Sequence, residues 1–318
     1  MSEVTRVIKL AIIQNTSAQR AAVYGLVDLL NMANQFQRQH SNSASKFNVE
    51  VIKTPIAQRL KQYQIVVLPP AITGPPSGEE LTNIANILRQ QHEAGALLCS
   101  VCAGTFPLAA SGVLENRTAT THWALADDFA RQHPNVALDI DKLIVDDGDI
   151  ITAGGLMAWV DLGLRLVERV MGPSNMLETA RFFLVDPSGR EQRYYSNFSP
   201  RLNHGDAAVL KTQHWLQTQY EKQISIADMA LYSGLGKRTF SRRFLKATGL
   251  NASEYLQALR IGKAREMMEF TPETVDTIAY KVGYEDTSAF RKVFFKLIGL
   301  TPREYRKRFA TNQKIDQE

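Results

Sequence analysis

A helical pattern written twice near the C-terminus constrains this chain more than any other feature. The first copy reads MALYSGLGKRTFSRRF from Met229 to Phe244, and the second reads IAYKVGYEDTSAFRKVF from Ile278 to Phe294. Ala230 answers to Ala279 and Gly234 to Gly283 at a spacing of 49, whereas Phe240 and Phe244 answer to Phe290 and Phe294 at 50. The second copy therefore holds one extra residue in its turn. Each copy orders an apolar helix, a glycine at a tight bend, and a second helix with apolar anchors and a basic face. A helix-turn-helix has this order, and its second helix enters the DNA major groove. Two copies predict two groove contacts from one polypeptide.

Residue spacing assigns the faces. Ser225 is placed to cap the first unit, with Ile226, Met229 and Ala230 turned inward. A reading helix is predicted from Lys237 to Lys246. Phe240 and Phe244, at i and i+4, fall on its buried face. Lys237, Arg238, Ser241 and Arg242 then point outward. Arginine reads guanine bidentately, so Arg238 and Arg242 are the expected base readers. Lys237 and Lys246 are expected to hold phosphate. In the second unit Thr287, Ser288, Arg291 and Lys292 face out on the same argument. One long helix from Tyr255 to Phe270 separates the units. If rigid, it sets the reading helices in successive major grooves, about 34 Å apart.

Charge supports a polyanion partner. From Ala207 onward the chain has 19 Lys and Arg against 12 Asp and Glu, and before it 18 against 20. A basic module on a slightly acidic remainder fits nucleic-acid binding. The start, MSEVTRVIKLAIIQ, has no apolar run suited to a signal peptide, and no stretch of about 18 apolar residues predicts a membrane span. Two cysteines form no disulfide framework, which fits a reducing cytoplasm.

The first two thirds alternate strand and helix signals. Strands are predicted at Val7–Ile13, Phe47–Ile52, Ile65–Leu68 and Ala96–Val101, with helices over Ala22–Gln37 and Glu79–Glu93. Apolar strands between amphipathic helices imply a parallel sheet covered on both faces. KLIVDDGDIITAGG follows as a hairpin turning at Asp147-Gly148, then a helix from Leu156 to Val170. SNFSPRLNHGD, polar with Pro and Gly, reads as a connecting stretch in which His204 is solvated. The expected domains are 1–196, a linker at 197–206, and 207–318.

Cys102-Ala103-Gly104-Thr105 follows the strand Ala96–Val101 and leads into FPLAASGVL. A cysteine at such a strand-to-helix elbow has its side chain exposed near helix N–H groups, which lower a thiol's pKa. His122 in TATTHWALA is a candidate partner, since a Cys–His pair is the minimum for an activated thiol. Cys99 and Cys102 form a C-x-x-C pair, but no second pair completes a zinc site, so no metal is expected.

From Ser225 to Arg308 the chain resembles the DNA-binding domain of AraC/XylS-type transcriptional regulators. The resemblance rests on AYKVGYEDTSAFRKVFFKLIGLTPREYRKR, with Gly283-Tyr284, Phe290, Phe294, Gly299, Pro302 and Tyr305-Arg306. Gly236 departs from it, where a capping Ser is common. SVCAGTFPLAASGVL with TTHW resembles the class I glutamine-amidotransferase-like superfamily of the ThiJ/PfpI type, over about residues 6–185. The combination resembles the GlxA group of regulators. These resemblances imply an α/β flavodoxin-like parallel sheet sandwich followed by an all-α domain with two helix-turn-helix units.

Enzymes of that superfamily pair the elbow cysteine with an acid on the early helix and a glycine-rich oxyanion loop. Ala22 stands where the acid is expected, and VVLPPAITG replaces Pro-Gly-Gly. Pro70 has no N–H to donate, and loss of one oxyanion donor costs about 10²–10³ in rate. No catalytic residue and no cofactor are therefore expected. Cys102, Ala103, Gly104, Ala71 and His122 are expected instead to bind a small polar or anionic effector. Amino acids and quaternary ammonium compounds are the classes the resemblance implies. It also implies promoter DNA, a second copy of the chain and RNA polymerase as partners. A thiol-dependent amidase tethered to DNA, and a redox sensor acting through Cys102, stand as alternatives.

Overall fold

The computed structural model describes residues 6–40, 45–56, 60–187 and 191–311. The chain divides into two compact units, Met1–Gln192 and Arg193–Glu318.

In the first unit, β1 (Val7–Gln14), β2 (Lys46–Lys53), β3 (Ile65–Leu68) and β4 (Leu97–Val101) alternate with α1 (Arg20–His40) and α2 (Gly78–Glu93). After β4 come α3 (Thr105–Ala110), β5 (Thr118–Ala119), α4 (Ala126–Gln132), β6 (Ala137–Leu138), β7 (Ile144–Asp146) and β8 (Ile150–Ala153). Helices α5 (Trp159–Met171) and α6 (Pro173–Phe182) complete the unit. The main sheet has the order β2-β1-β3-β4-β8-β7, parallel except for β7 at one edge. The β7–β8 turn is where Asp147-Gly148 predicted it, with Gly148 at φ +86°. The antiparallel edge follows, because a short turn can only reverse the chain.

Strand alternation splits the apolar side chains into two layers. Ile8, Leu10 and Ile12 pack with Val23, Leu26, Leu162 and Leu166 of α1 and α5. Ala11 and Ile13 face the other way, onto Ile84, Leu88, Phe106 and Phe129. A sheet buried on both faces needs such apolar strands, and all four residues of β3 are buried. This is the doubly wound sandwich, with ligand sites at the carboxyl ends of its strands.

The second unit contains α7 (Ala207–Gln219), α8 (Ile226–Ser233), α9 (Lys237–Thr248), α10 (Ala252–Phe270), α11 (Val275–Lys281), α12 (Thr287–Ile298) and α13 (Pro302–Phe309). It has two cores that share α10. Phe240 and Phe244 meet Met229, Tyr255 and Leu259 in one, and Phe290 and Phe294 meet Ile278, Met268 and Tyr305 in the other. All four phenylalanines are fully buried.

Residues 197–206, expected as a connecting stretch, are held within this unit. Phe198 stacks edge-on against Tyr255 at 5.1 Å, and Gln213 Nε2 donates to Arg201 O. Upstream, Arg265 donates to the carbonyls of Ser196 and Tyr194. His204 is half-buried and internally bonded: its Nε2 pairs with Gln213 Oε1 at 2.7 Å and its Nδ1 accepts from Asp206 N. Asp206 is the N-cap of α7, accepting from Val209 N, and it also receives two bonds from Arg243 of α9 at 2.8 and 2.7 Å.

Candidate nucleic-acid interface and thiol elbow

The helix predicted to read DNA in the first repeat is α9; its N-cap Gly236 supplies no side-chain cap. Its apolar stripe buries Phe240, Phe244 and Ala247. The opposite face carries Lys237, Arg238, Ser241, Arg242 and Lys246, all exposed. None of these four cations makes an ion pair among the described residues. Arg243 sits between the faces and is the one basic residue of α9 committed internally, to Asp206.

The second reading helix, α12, is capped by Asp286, which accepts from Ser288 N at 2.8 Å. Ser288, Arg291 and Lys292 are exposed and Thr287 is half-buried. Arg291 does not stand alone: its Nη2 lies 2.7 Å from Asp276 Oδ1 on α11. Spacing within one helix could not reveal this pair.

The join between the two helix-turn-helix units, both within the second domain, is built from α10. Arg260 is only 9% exposed, and it donates to Tyr220 O and Lys222 O in the α7–α8 loop. Gln223 Nε2 donates to Gly283 O from the same loop. Gly283 has φ +87°, and a Cβ there would come within 2.7 Å of Glu221 O. Only glycine fits that close approach. The buried Arg260 guanidinium thus holds the α7–α8 loop to α10, and the Gln223 bond ties the Gly283 turn to that loop.

In the first unit, Cys102 follows β4 with φ +55°, a left-handed conformation that ordinary residues rarely adopt. Strain of this kind costs about 1–3 kcal/mol and collects at functional sites. Gly104 lets the elbow press onto the loop after β3, since a Cβ there would lie 2.8 Å from Leu68 O and 2.9 Å from Pro69 O. Ala103 and Ala71 are buried in the same apolar layer as Cys102.

The elbow's chemistry differs from that of an activated thiol. Burial pushes the Cys102 thiol up to about 11, although the Ala103 N–H opposes it. Burial also holds His122 below its ordinary value, so both groups are neutral at pH 7. His122 Nδ1 accepts from Ala124 N at 3.1 Å, which places its proton on Nε2. Among the described residues no hydrogen bond joins the His122 ring to the Cys102 thiol. Ala22 is buried, and Asp28 of α1 is exposed. The loop at Pro70 is engaged by its neighbours: Pro70 O accepts from Gln19 N, and Ile72 N donates to Ser17 O. Cys99 is wholly buried and burial raises its thiol strongly.

A buried polar network behind the elbow had no sequence signal. Thr121 Oγ1 donates to Cys102 O at 2.8 Å. Gln192 Nε2 donates to Thr120 Oγ1, Thr121 O and Lys142 O, all within 3.0 Å. Gln192 is 2% exposed and its side chain occupies the space a Cβ at Gly154 would take. Among the described residues no cluster of His, Cys, Asp and Glu suits a metal, and no helix is long and apolar enough to cross a membrane.

The DJ-1/PfpI family model matches residues 34–169, and a helix-turn-helix domain model matches residues 229–308. The chain is 27% identical over 221 residues to the HTH-type transcriptional regulator ArgR of Pseudomonas aeruginosa, covering 69% of this chain and 67% of that one. It is 26% identical over 229 residues to the HTH-type transcriptional regulator GlxA of Rhizobium meliloti, covering 70% and 68%. It is 24% identical over 229 residues to the HTH-type transcriptional regulator GbdR of Pseudomonas aeruginosa, covering 72% and 62%. These alignments span about two thirds of each relative's own length.

Proposed function

We propose that this chain, which resembles the HTH-type transcriptional regulators in joining a DJ-1/PfpI domain to a helix-turn-helix domain, reads promoter DNA under control of a small effector. The observation that carries the reading is the row of uncommitted cations on α9. Lys237, Arg238, Arg242 and Lys246 lie on one exposed face, backed by a fully buried Phe pair. Such a face has no internal use, and a duplex supplies both phosphates and guanine edges to fill it. Arg238 and Arg242 read bases from α9, with Ser241 on the same face, while Lys237 and Lys246 hold phosphate. Thr287, Ser288, Arg291 and Lys292 do the corresponding work on α12.

The first unit, with residues up to 196, acts as the sensor, and the effector sits against Cys102, Ala103, Gly104, Ala71 and His122. Neutral thiol, neutral imidazole, missing acid and engaged oxyanion loop together support binding without turnover. They also weigh against the amidase and the peroxide sensor, both of which need a thiolate. Amino acids and quaternary ammonium compounds are the first effectors to try. The protein works in the cytoplasm, pairs with a second copy, and reaches RNA polymerase from the promoter.

Two measurements test this. Selection of duplexes from a random pool by the full chain should yield a consensus that the Arg242→Ala variant no longer enriches; an unchanged consensus would refute the assignment of α9. Thermal melting of the full chain against amino acids, betaines and small carboxylates should show one class adding stability. At 100 times the dissociation constant the gain is about 2.7 kcal/mol. His122→Ala should abolish that gain, and turnover of any amide lost in Cys102→Ser would replace the reading with the enzyme.

A further inference from the structure

The two reading helices are built on one plan but differ in their charged surroundings. Offset by the repeat spacing, Asp276 answers to Ala227, Glu285 to Leu235 and Asp286 to Gly236. At these three positions the second helix-turn-helix has carboxylates where the first has none; the carboxylate beside α9, Asp206, holds Arg243 instead. The cations of α12 number three, Arg291, Lys292 and Lys296, and one of them is held by Asp276 at 2.7 Å. That pair is half in solvent, with side chains 55% and 54% exposed. An ion pair so exposed contributes little to folding and exchanges readily. It lies on the face of α12 that the preceding reading directs to DNA, and the inference rests on that reading.

We infer that Asp276 is a positioning residue that sets the sequence discrimination of the second unit, by holding Arg291 until a base edge competes for it. On arbitrary sequence, the duplex offers Arg291 only phosphate. Taking it means giving up a charge-assisted bond to Asp276 and bringing that carboxylate near the phosphate chain. Where a guanine lies in reach, a bidentate contact to O6 and N7 replaces the lost bond and adds a second one. Specificity is a difference of affinities, and a repulsive element acting against the wrong sequence widens it. In the first helix-turn-helix the cation held this way is Arg243, by Asp206, and it lies between the faces; Lys237, Arg238, Arg242 and Lys246 have no such partner among the described residues, so they grip any duplex. The second unit decides among them.

The test compares the full chain with Asp276→Asn, Arg291→Ala and the double variant. The probes are the duplex that the wild-type chain selects from a random pool and an unrelated duplex of equal length, titrated over several salt concentrations. Asp276→Asn should bind the unrelated duplex about two- to fivefold more tightly, the range an exposed ion pair covers. Its plot of log affinity against log salt should steepen by about one unit, as for one added phosphate contact. The ratio between selected and unrelated duplex should fall accordingly. In the Arg291→Ala background these changes should shrink, because the carboxylate acts through that guanidinium. Unchanged affinity and salt slope in Asp276→Asn would overturn the inference, and so would an equal effect with and without Arg291. Lys292→Ala separates the two levels of failure. If it leaves every affinity unchanged, the placement of α12 on DNA is wrong and the role of Asp276 falls with it.

Discussion

The two helix-turn-helix units bury the same aromatic pair and bend at the same glycine, yet the bends stand in different surroundings. Gly234 has φ +73° and nothing within 4 Å of where a Cβ would sit. Gly283 has φ +87° and would drive a Cβ into Glu221 O, Tyr220 O and the Arg260 guanidinium. Both glycines answer the local demand for a left-handed residue that ends a helix. Only the second is also a joint, wedged against the loop that enters the first unit. One motif can therefore be a free turn in one copy and a structural contact in the next, and the sequence of the turn does not show which.

The largest expected effects lie in the two helical cores. Phe244→Ala and Phe294→Ala should each destabilise by about 3–5 kcal/mol, as large aromatic truncations do. Denaturant melts should show similar losses, and a marked inequality would mean that the two cores do not match. Next come the glycines. Gly234→Ala should cost about 1–2 kcal/mol, the penalty of the left-handed conformation alone. Gly283→Ala should cost more, because the conformational penalty is joined by a backbone clash; equal losses would remove the joint.

Capping gives a smaller contrast. Asp286→Ala should lose about 1 kcal/mol, whereas Gly236→Asp should gain a few tenths by adding the cap that α9 lacks. The same Gly236→Asp should weaken binding to unrelated DNA, since it puts a carboxylate at the start of a reading helix. The smallest effect is a pH dependence particular to the first unit. The Arg243 guanidinium holds the Asp206 carboxyl below the usual carboxylate range. A depressed acid contributes stability above its unfolded pKa, near 3.9, and loses it as the pH falls through the folded value. Melting between pH 6 and pH 3 should therefore lose less stability in Asp206→Asn than in the wild type. A parallel loss in both would mean that the pair contributes nothing.

What the sequence made legible was everything carried by local period. β1, β2, β3 and β4 follow from apolar runs, the β7–β8 turn from Asp147-Gly148, and both reading helices from phenylalanines at i and i+4. The elbow at Cys102 was legible from a strand running into Cys-Ala-Gly-Thr, and the lack of an acid at Ala22 could be read directly. Long-range pairs were not legible. Gln192 lies beyond α6 in a stretch without period, and its partners Thr120, Thr121 and Lys142 are about 50 to 72 residues away. Arg260 and Asp276 look like ordinary charges on helices, and nothing nearby shows that one is buried under carbonyls or that the other holds Arg291. The polar stretch at 197–206 reads as a connection because Pro, Gly and Asn dominate it. Phe198 within it and Asp206 before the run AAVLKTQHWL were the signals that it is anchored.

On the proposed function, Arg260 and Gly283 together limit the promoters that fit the protein. With the Gly283 turn bonded to the α7–α8 loop, the span between α9 and α12 resists stretching, and on the proposed function it fixes the distance between the two DNA subsites. Each base pair added between the two subsites shifts one by about 3.4 Å and turns it by roughly a tenth of a helical turn. A promoter can then drift by substitution, losing and regaining contacts one base at a time. It cannot drift by insertion or deletion, because a single one misaligns a whole unit. On the proposed function, the promoters it reads should therefore keep their spacing while their sequence varies.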